Sequence, residues 1–177
     1  FNGMFTEIGD SLNSRKFALL DNSGEYNHLT CFFANNPFDV SYIGPTEGDM
    51  SYKFDKFSHG TIKLLDFNNS SFTLNIWYLV SDFNTESQSV LLSMFDSKSV
   101  SSDKGFILYS NGDFKTGTDI TTIAQELSLV TETNVWNMLT LVYDNDLSEV
   151  KFYINATERK NIQNVELTFE NNMLSIG

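Results

Sequence analysis

The stretch Phe72-Thr-Leu-Asn-Ile-Trp-Tyr-Leu-Val80 opens with strict alternation of apolar and polar side chains. Successive side chains of a pleated strand point to opposite faces, so Phe72, Leu74, Ile76 and Tyr78 share one face and Thr73, Asn75 and Trp77 share the other. A helix would scatter these residues around its axis. The same signal recurs in Val90 to Phe95, Gly105 to Ser110, Val135 to Tyr143 and Val150 to Ile154, each bounded by Gly, Asn, Asp or Ser. These segments are expected to be strands.

Turn chemistry joins them in order. Asn111-Gly112 follows Phe106-Ile-Leu-Tyr109 and is expected to supply two positive-φ residues to a hairpin, and Asp144-Asn145-Asp146 separates two alternating runs. Upstream, Met50 to Phe54 and Thr61 to Leu65 are expected to pair around a loop from Asp55 to Gly60 that places His59 in a turn. Asp21-Asn22-Ser23-Gly24 and Asn35-Asn36-Pro37 mark turns between the apolar runs Phe17 to Leu20 and Leu29 to Phe33. Only Asp119 to Leu129, with a capping residue and good helix formers, leaves helix and strand both open. Seven or more short strands with frequent turns define an all-β chain of two packed antiparallel sheets.

Composition agrees. The 177 residues fit a single domain, 1–177, with room for a sizeable core. Sixteen Phe, seven Tyr and two Trp suit pleated strands. With 23 acidic and 11 basic residues the formal net charge is -12, which repels nucleic acid. No apolar stretch approaches the roughly 20 residues of a membrane span, so direct membrane insertion is not expected. The single cysteine, Cys31, excludes an internal disulfide and is read as a core thiol on a strand. The chain starts at Phe1 without a signal-type apolar segment, as expected of a processed or excised piece of a longer protein.

Three segments in order resemble the laminin-G-like, concanavalin-A-like superfamily: Asp21-Asn-Ser-Gly-Glu-Tyr-Asn-His-Leu-Thr30, Met50-Ser-Tyr-Lys-Phe-Asp55 and Ser71-Phe-Thr-Leu-Asn-Ile-Trp77. The resemblance continues through Val135-Trp-Asn-Met-Leu-Thr-Leu-Val-Tyr-Asp144 and Val150-Lys-Phe-Tyr-Ile-Asn155, where Ala156 replaces the family's turn Gly at a cost if its φ is positive. It implies a jelly-roll β-sandwich with Trp77 and Trp136 in the core, although strict alternation turns Trp77 away from Phe72. It also implies that Leu174 to Gly177 is the penultimate strand, so that the sandwich lacks its last strand and leaves an edge open.

The chemistry of the residues narrows the role. The enzymes of that superfamily carry a Glu-x-Asp-x-x-Glu strand, which is absent here, and neither His28 nor His59 lies in a nucleophile motif. No catalytic residue is assigned. One cysteine and two histidines cannot build a zinc site, and the isolated glycines form no phosphate loop. No cofactor is required. Calcium is the one ion that the resemblance admits, with Asp103 and Asp119 as its candidate ligands, although both read more simply as solvated turn acids. Tyr26, Tyr42 and Tyr109, in or near loops, are the candidate aromatic platforms for a ligand. Asn68, Asn69 and Asn155 head sequons that a secreted eukaryotic chain would glycosylate.

The expectation is a non-catalytic recognition or adhesion module that binds glycan or protein through rim loops and works outside the cell or on a cell or virion surface. A second reading is a structural protomer of an extracellular fibre, coat or virion that self-assembles when a neighbour's strand completes the open edge. A third is a glycoside hydrolase or lyase of the same fold.

Overall fold

The computed structural model describes residues 5–7, 15–19, 29–33, 45–46, 59–63, 70–80, 90–95, 105–116, 119–122, 134–169 and 173–176. All regular structure among them is β, every registered strand pair is antiparallel, and the described residues contain no helix. The chain forms two compact units, 1–65 with 172–177, and 66–171.

The first unit contains β1 (Phe5–Glu7), β2 (Arg15–Leu19), β3 (Leu29–Phe33), β4 (His59–Lys63) and the C-terminal strand β13 (Met173–Ile176). They pair in the order β1-β2-β3-β4-β13. His59 is therefore the first residue of a strand and not part of a turn: its backbone lies opposite Phe32, and the next residue, Gly60, pairs with Cys31 on one side and Ile176 on the other. The partners of β4 are β3 and β13, whereas Met50 to Phe54, the partner expected from sequence, lies outside the described residues. The side chain of Cys31 also falls outside them. Leu174 on β13 faces Ile62 in register, and both are buried.

The second unit is a sandwich in its own right. One sheet runs β12-β11-β10-β5, from β5 (Phe72–Leu79), β10 (Trp136–Asp144), β11 (Glu149–Ile154) and β12 (Thr157–Gln163). Facing it are β6 (Val90–Phe95), β7 (Gly105–Tyr109), β8 (Asp113–Thr116) and β9 (Asp119–Thr122), paired in chain order. Asp119 to Thr122 is thus strand, which settles the segment left open between helix and strand as far as Thr122. The alternation read from sequence holds: Phe72, Leu74, Ile76 and Tyr78 face inward with Leu139, Leu141, Tyr143, Val150, Phe152 and Ile154.

Aromatic rings tie the two layers together. Phe72 stacks on Phe106 with centroids 6.3 Å apart, and Phe114 meets Phe152 edge-on at 5.1 Å. Such offset and T-shaped pairs avoid the repulsion of eclipsed ring faces. Phe72 also contacts Phe169 at 6.0 Å. Phe169 lies in a run in which Val165, Leu167 and Phe169 are buried and Glu166 and Thr168 are exposed. The backbone N–H of Leu167 donates to the Tyr143 hydroxyl (3.2 Å), and that hydroxyl donates to Asn145 Oδ1 (3.2 Å). One buried phenol therefore holds both the run and the β10–β11 loop.

The hairpins show how local chemistry sets register. Between Tyr109 and Asp113 the N–H of Gly112 donates to the Tyr109 carbonyl (2.9 Å), and only Gly112, at φ 90°, takes a positive φ. Asn111 does not, contrary to the sequence expectation. A three-residue loop closing on a left-handed glycine needs one such residue, while a two-residue loop needs two. Asn111 instead accepts from the Asp113 N–H through Oδ1 (3.0 Å) and donates through Nδ2 to Asp113 Oδ2 (2.8 Å). The β11–β12 hairpin is the two-residue type, with Asn155 at φ 51° and Ala156 at φ 63°.

Candidate ligand-binding face

The four-stranded sheet of the second unit has a face turned away from its core, and register lays out its rows. Met138 lies opposite Trp77, and Trp136 opposite Leu79. These four side chains form an apolar quartet across β5 and β10. Trp77 is 50% exposed, while Trp136, Met138 and Leu79 are half-buried. The next row crosses all four strands as Asn75, Thr140, Tyr153 and Glu158. The row after it runs Thr73, Val142, Lys151 and Asn161.

The quartet corrects the placement of both tryptophans in the core. With Phe72, Leu74 and Ile76 inward, pleating leaves Trp77 nowhere but the outer face, and Trp136 alternates in the same way with buried Asn137 and Leu139. The residues themselves carried this signal, and the family resemblance pointed the other way.

Hydrogen bonds fix the polar part of the face. Thr140 Oγ1 donates to Asn75 Oδ1 (2.6 Å), which orients the Asn75 amide with its Nδ2 as donor. Further along, Glu149 binds Lys151, and its Oε2 accepts from Asn161 Nδ2 (3.1 Å) and Gln163 Nε2 (2.8 Å). The bond to Lys151, followed by that to Asn161, holds the Glu149 carboxyl below its ordinary pKa, and Glu149 in turn raises that of Lys151. The lysine charge is thereby matched within the face.

The β11–β12 turn supports the quartet from one end. Asn155 Oδ1 accepts from the Met138 N–H (2.8 Å), the Asn155 N–H donates to the Met138 carbonyl (2.9 Å), and Asn155 Nδ2 donates to buried Asn137 Oδ1 (2.9 Å). Inside the sheet, burial of Tyr78 pushes its phenol up to about 12.

The candidates named from sequence are not brought together. Tyr26, Tyr42, Asp103, Asn68 and Asn69 lie outside the described residues. Asp119 opens β9 opposite Thr116, and its side chain is not among those described. Tyr109 is half-buried at the end of β7, in the other sheet from Trp77. Asn155 is exposed at its turn. Among the described residues no three or more His, Cys, Asp or Glu side chains gather as a metal site, and no helix is long and apolar enough to cross a membrane.

A laminin G family model, described as the concanavalin A-like lectin/glucanases superfamily, matches residues 54–177. The chain belongs to that superfamily. Similar solved structures include a botulinum neurotoxin type G receptor binding domain, 14% identical with a TM-score of 0.43 over 97% of this chain and 38% of that one. Another is the binding domain of botulinum neurotoxin DC in complex with SialylT, 13% identical with a TM-score of 0.40 over 99% of this chain and 43% of that one. The chain thus spans about two fifths of the length of these structures. No curated protein matches it.

Proposed function

We propose that this chain is a non-catalytic, extracellular carbohydrate-binding module whose binding surface is the outer face of the β5–β10–β11–β12 sheet. The observation that carries the reading is the half-exposed Trp77 indole, set in an apolar quartet beside a row of amide, hydroxyl, phenol and carboxylate groups. An indole covers the apolar C–H face of a sugar ring, and neighbouring amides and carboxylates satisfy its hydroxyls. Membership of a superfamily of lectins and glucanases supports a sugar as ligand. The sequence lacks the Glu-x-Asp-x-x-Glu strand of the hydrolases, and Glu149 on this face is engaged by Lys151, which supports binding over hydrolysis.

The test is a glycan array with the purified chain, with and without calcium, followed by titration of each hit. Binding that Trp77→Ala abolishes supports the reading. Binding untouched by that change moves the site elsewhere, and release of reducing sugar overturns the non-catalytic assignment.

A further inference from the structure

Trp77 and Tyr153 share the outer face on strands that are not neighbours, with β10 between them. Asn75, Thr140 and Tyr153 form one row across β5, β10 and β11, and Trp77 lies two residues along β5 from Asn75. Two interstrand spacings and two residue rises put the Cα atoms of Trp77 and Tyr153 about 12 Å apart. A single sugar ring cannot reach both. Between them lies the Asn75–Thr140 pair, with an amide donor and a hydroxyl in fixed orientation.

Charge selects the ligand further. On this face Asp144, Glu149 and Glu158 are acidic, Lys151 is bound to Glu149, and exposed Arg159 follows Glu158 where the register shifts. The whole chain carries -12. A sialylated, sulfated or uronic-acid glycan would meet three carboxylates beside a lysine that is already engaged, whereas neutral hydroxyls find acceptors in Glu158 and in the Thr140 hydroxyl.

Resting on the carbohydrate-binding reading, we propose that the ligand is an extended, neutral oligosaccharide that runs diagonally across the strands, one ring stacked on Trp77 and a later, non-adjacent ring on Tyr153. The two aromatics are then separate subsites of one chain, joined by hydrogen bonds to Asn75 and Thr140.

Calorimetric titration with neutral oligosaccharides of increasing length, from a monosaccharide to a hexasaccharide of the β-glucan, β-galactan and chitin series, tests this, with sialyl-lactose and a sulfated hexasaccharide for comparison. In one neutral series affinity is expected to climb with length until both rings are spanned. Trp77→Ala should weaken every member, by about 30-fold for a ring that acts as the main anchor. Tyr153→Ala should remove the gain with length, about 10-fold on the hexasaccharide, and leave the monosaccharide unchanged. Tyr153→Phe, which keeps the ring, should retain the gain.

Affinity independent of length, a long-chain affinity unmoved by Tyr153→Ala, or preference for the acidic sugars would overturn the two-ring proposal and leave the carbohydrate reading standing. Failure to bind any member overturns both. Because both side chains lie on the outer face, unchanged thermal midpoints certify that the variants are folded.

Discussion

Trp77 on β5 stands directly opposite Met138 on β10, on the solvent side of a sheet whose other side is sealed by aromatic rings. A large side chain so placed adds little to stability beyond its cross-strand contact, which contributes about 0.2–1 kcal/mol. Trp77→Ala is therefore expected to shift unfolding by less than about 1 kcal/mol. Phe106→Ala, which empties a fully buried site against Phe72 and Phe114, should cost about 3–5 kcal/mol. Parallel urea denaturation of the two variants gives the comparison, and similar losses would place Trp77 in the core.

Ala156 sits at φ 63° in a hairpin loop that glycine enters without steric strain. Ala156→Gly is expected to stabilise the fold by about 1 kcal/mol. Its neighbour behaves oppositely: Asn155→Ala strips the acceptor from the Met138 N–H and the donor from buried Asn137, a loss of about 1–3 kcal/mol. Thermal melts of the two variants should move in opposite directions.

Tyr143 links Leu167 and Asn145 through its hydroxyl. Tyr143→Phe keeps the packing and leaves the Leu167 N–H without that acceptor inside the core, a cost of about 1–3 kcal/mol. Amide hydrogen exchange should speed up at Leu167 before it does in β10, and uniform protection would argue that the phenol is not the latch.

Two groups make the stability of the second unit depend on pH. Tyr78 titrates near 10 in the unfolded chain and at about 12 when folded. Between those values the unfolded state binds fewer protons, so stability that is full below pH 10 falls as pH rises towards 12. Tyr78→Phe should flatten that decline. At the acid end, Glu149 has a lowered folded pKa, so its contribution is present above the ordinary carboxylate range and is lost as pH falls through the folded value. Glu149→Gln should blunt the acid loss, as read from thermal midpoints across pH.

The sandwich was legible from alternation because period-two patterning is imposed by the pleat itself. The bounds read for Val90 to Phe95 are those of β6, and Phe72 to Val80 overshoots β5 by one residue. Less local features were not legible. His59-Gly60 reads as a turn because glycine punctuates loops, yet flanking strands on both sides draw it into a sheet. The candidate face was half visible: alternation exposed Trp77, but its company depends on register, and nothing local in the sequence states that Tyr153 falls in line with Asn75. Asn155 reads as a turn residue or glycan acceptor, and its bonds to Met138 and Asn137 emerge only when β10 lies beside it.

The four-stranded sheet is bordered by β12, whose Glu158, Arg159 and Lys160 follow one another where the β11–β12 register slips between Phe152 and Tyr153. A foreign strand needs a flat row of free amides and carbonyls to zip onto, and here it meets a kink studded with charges of both signs. Strand addition at β12 would thus have to begin on an irregular, charged edge, unlike the even ladder that joins β5 to β10.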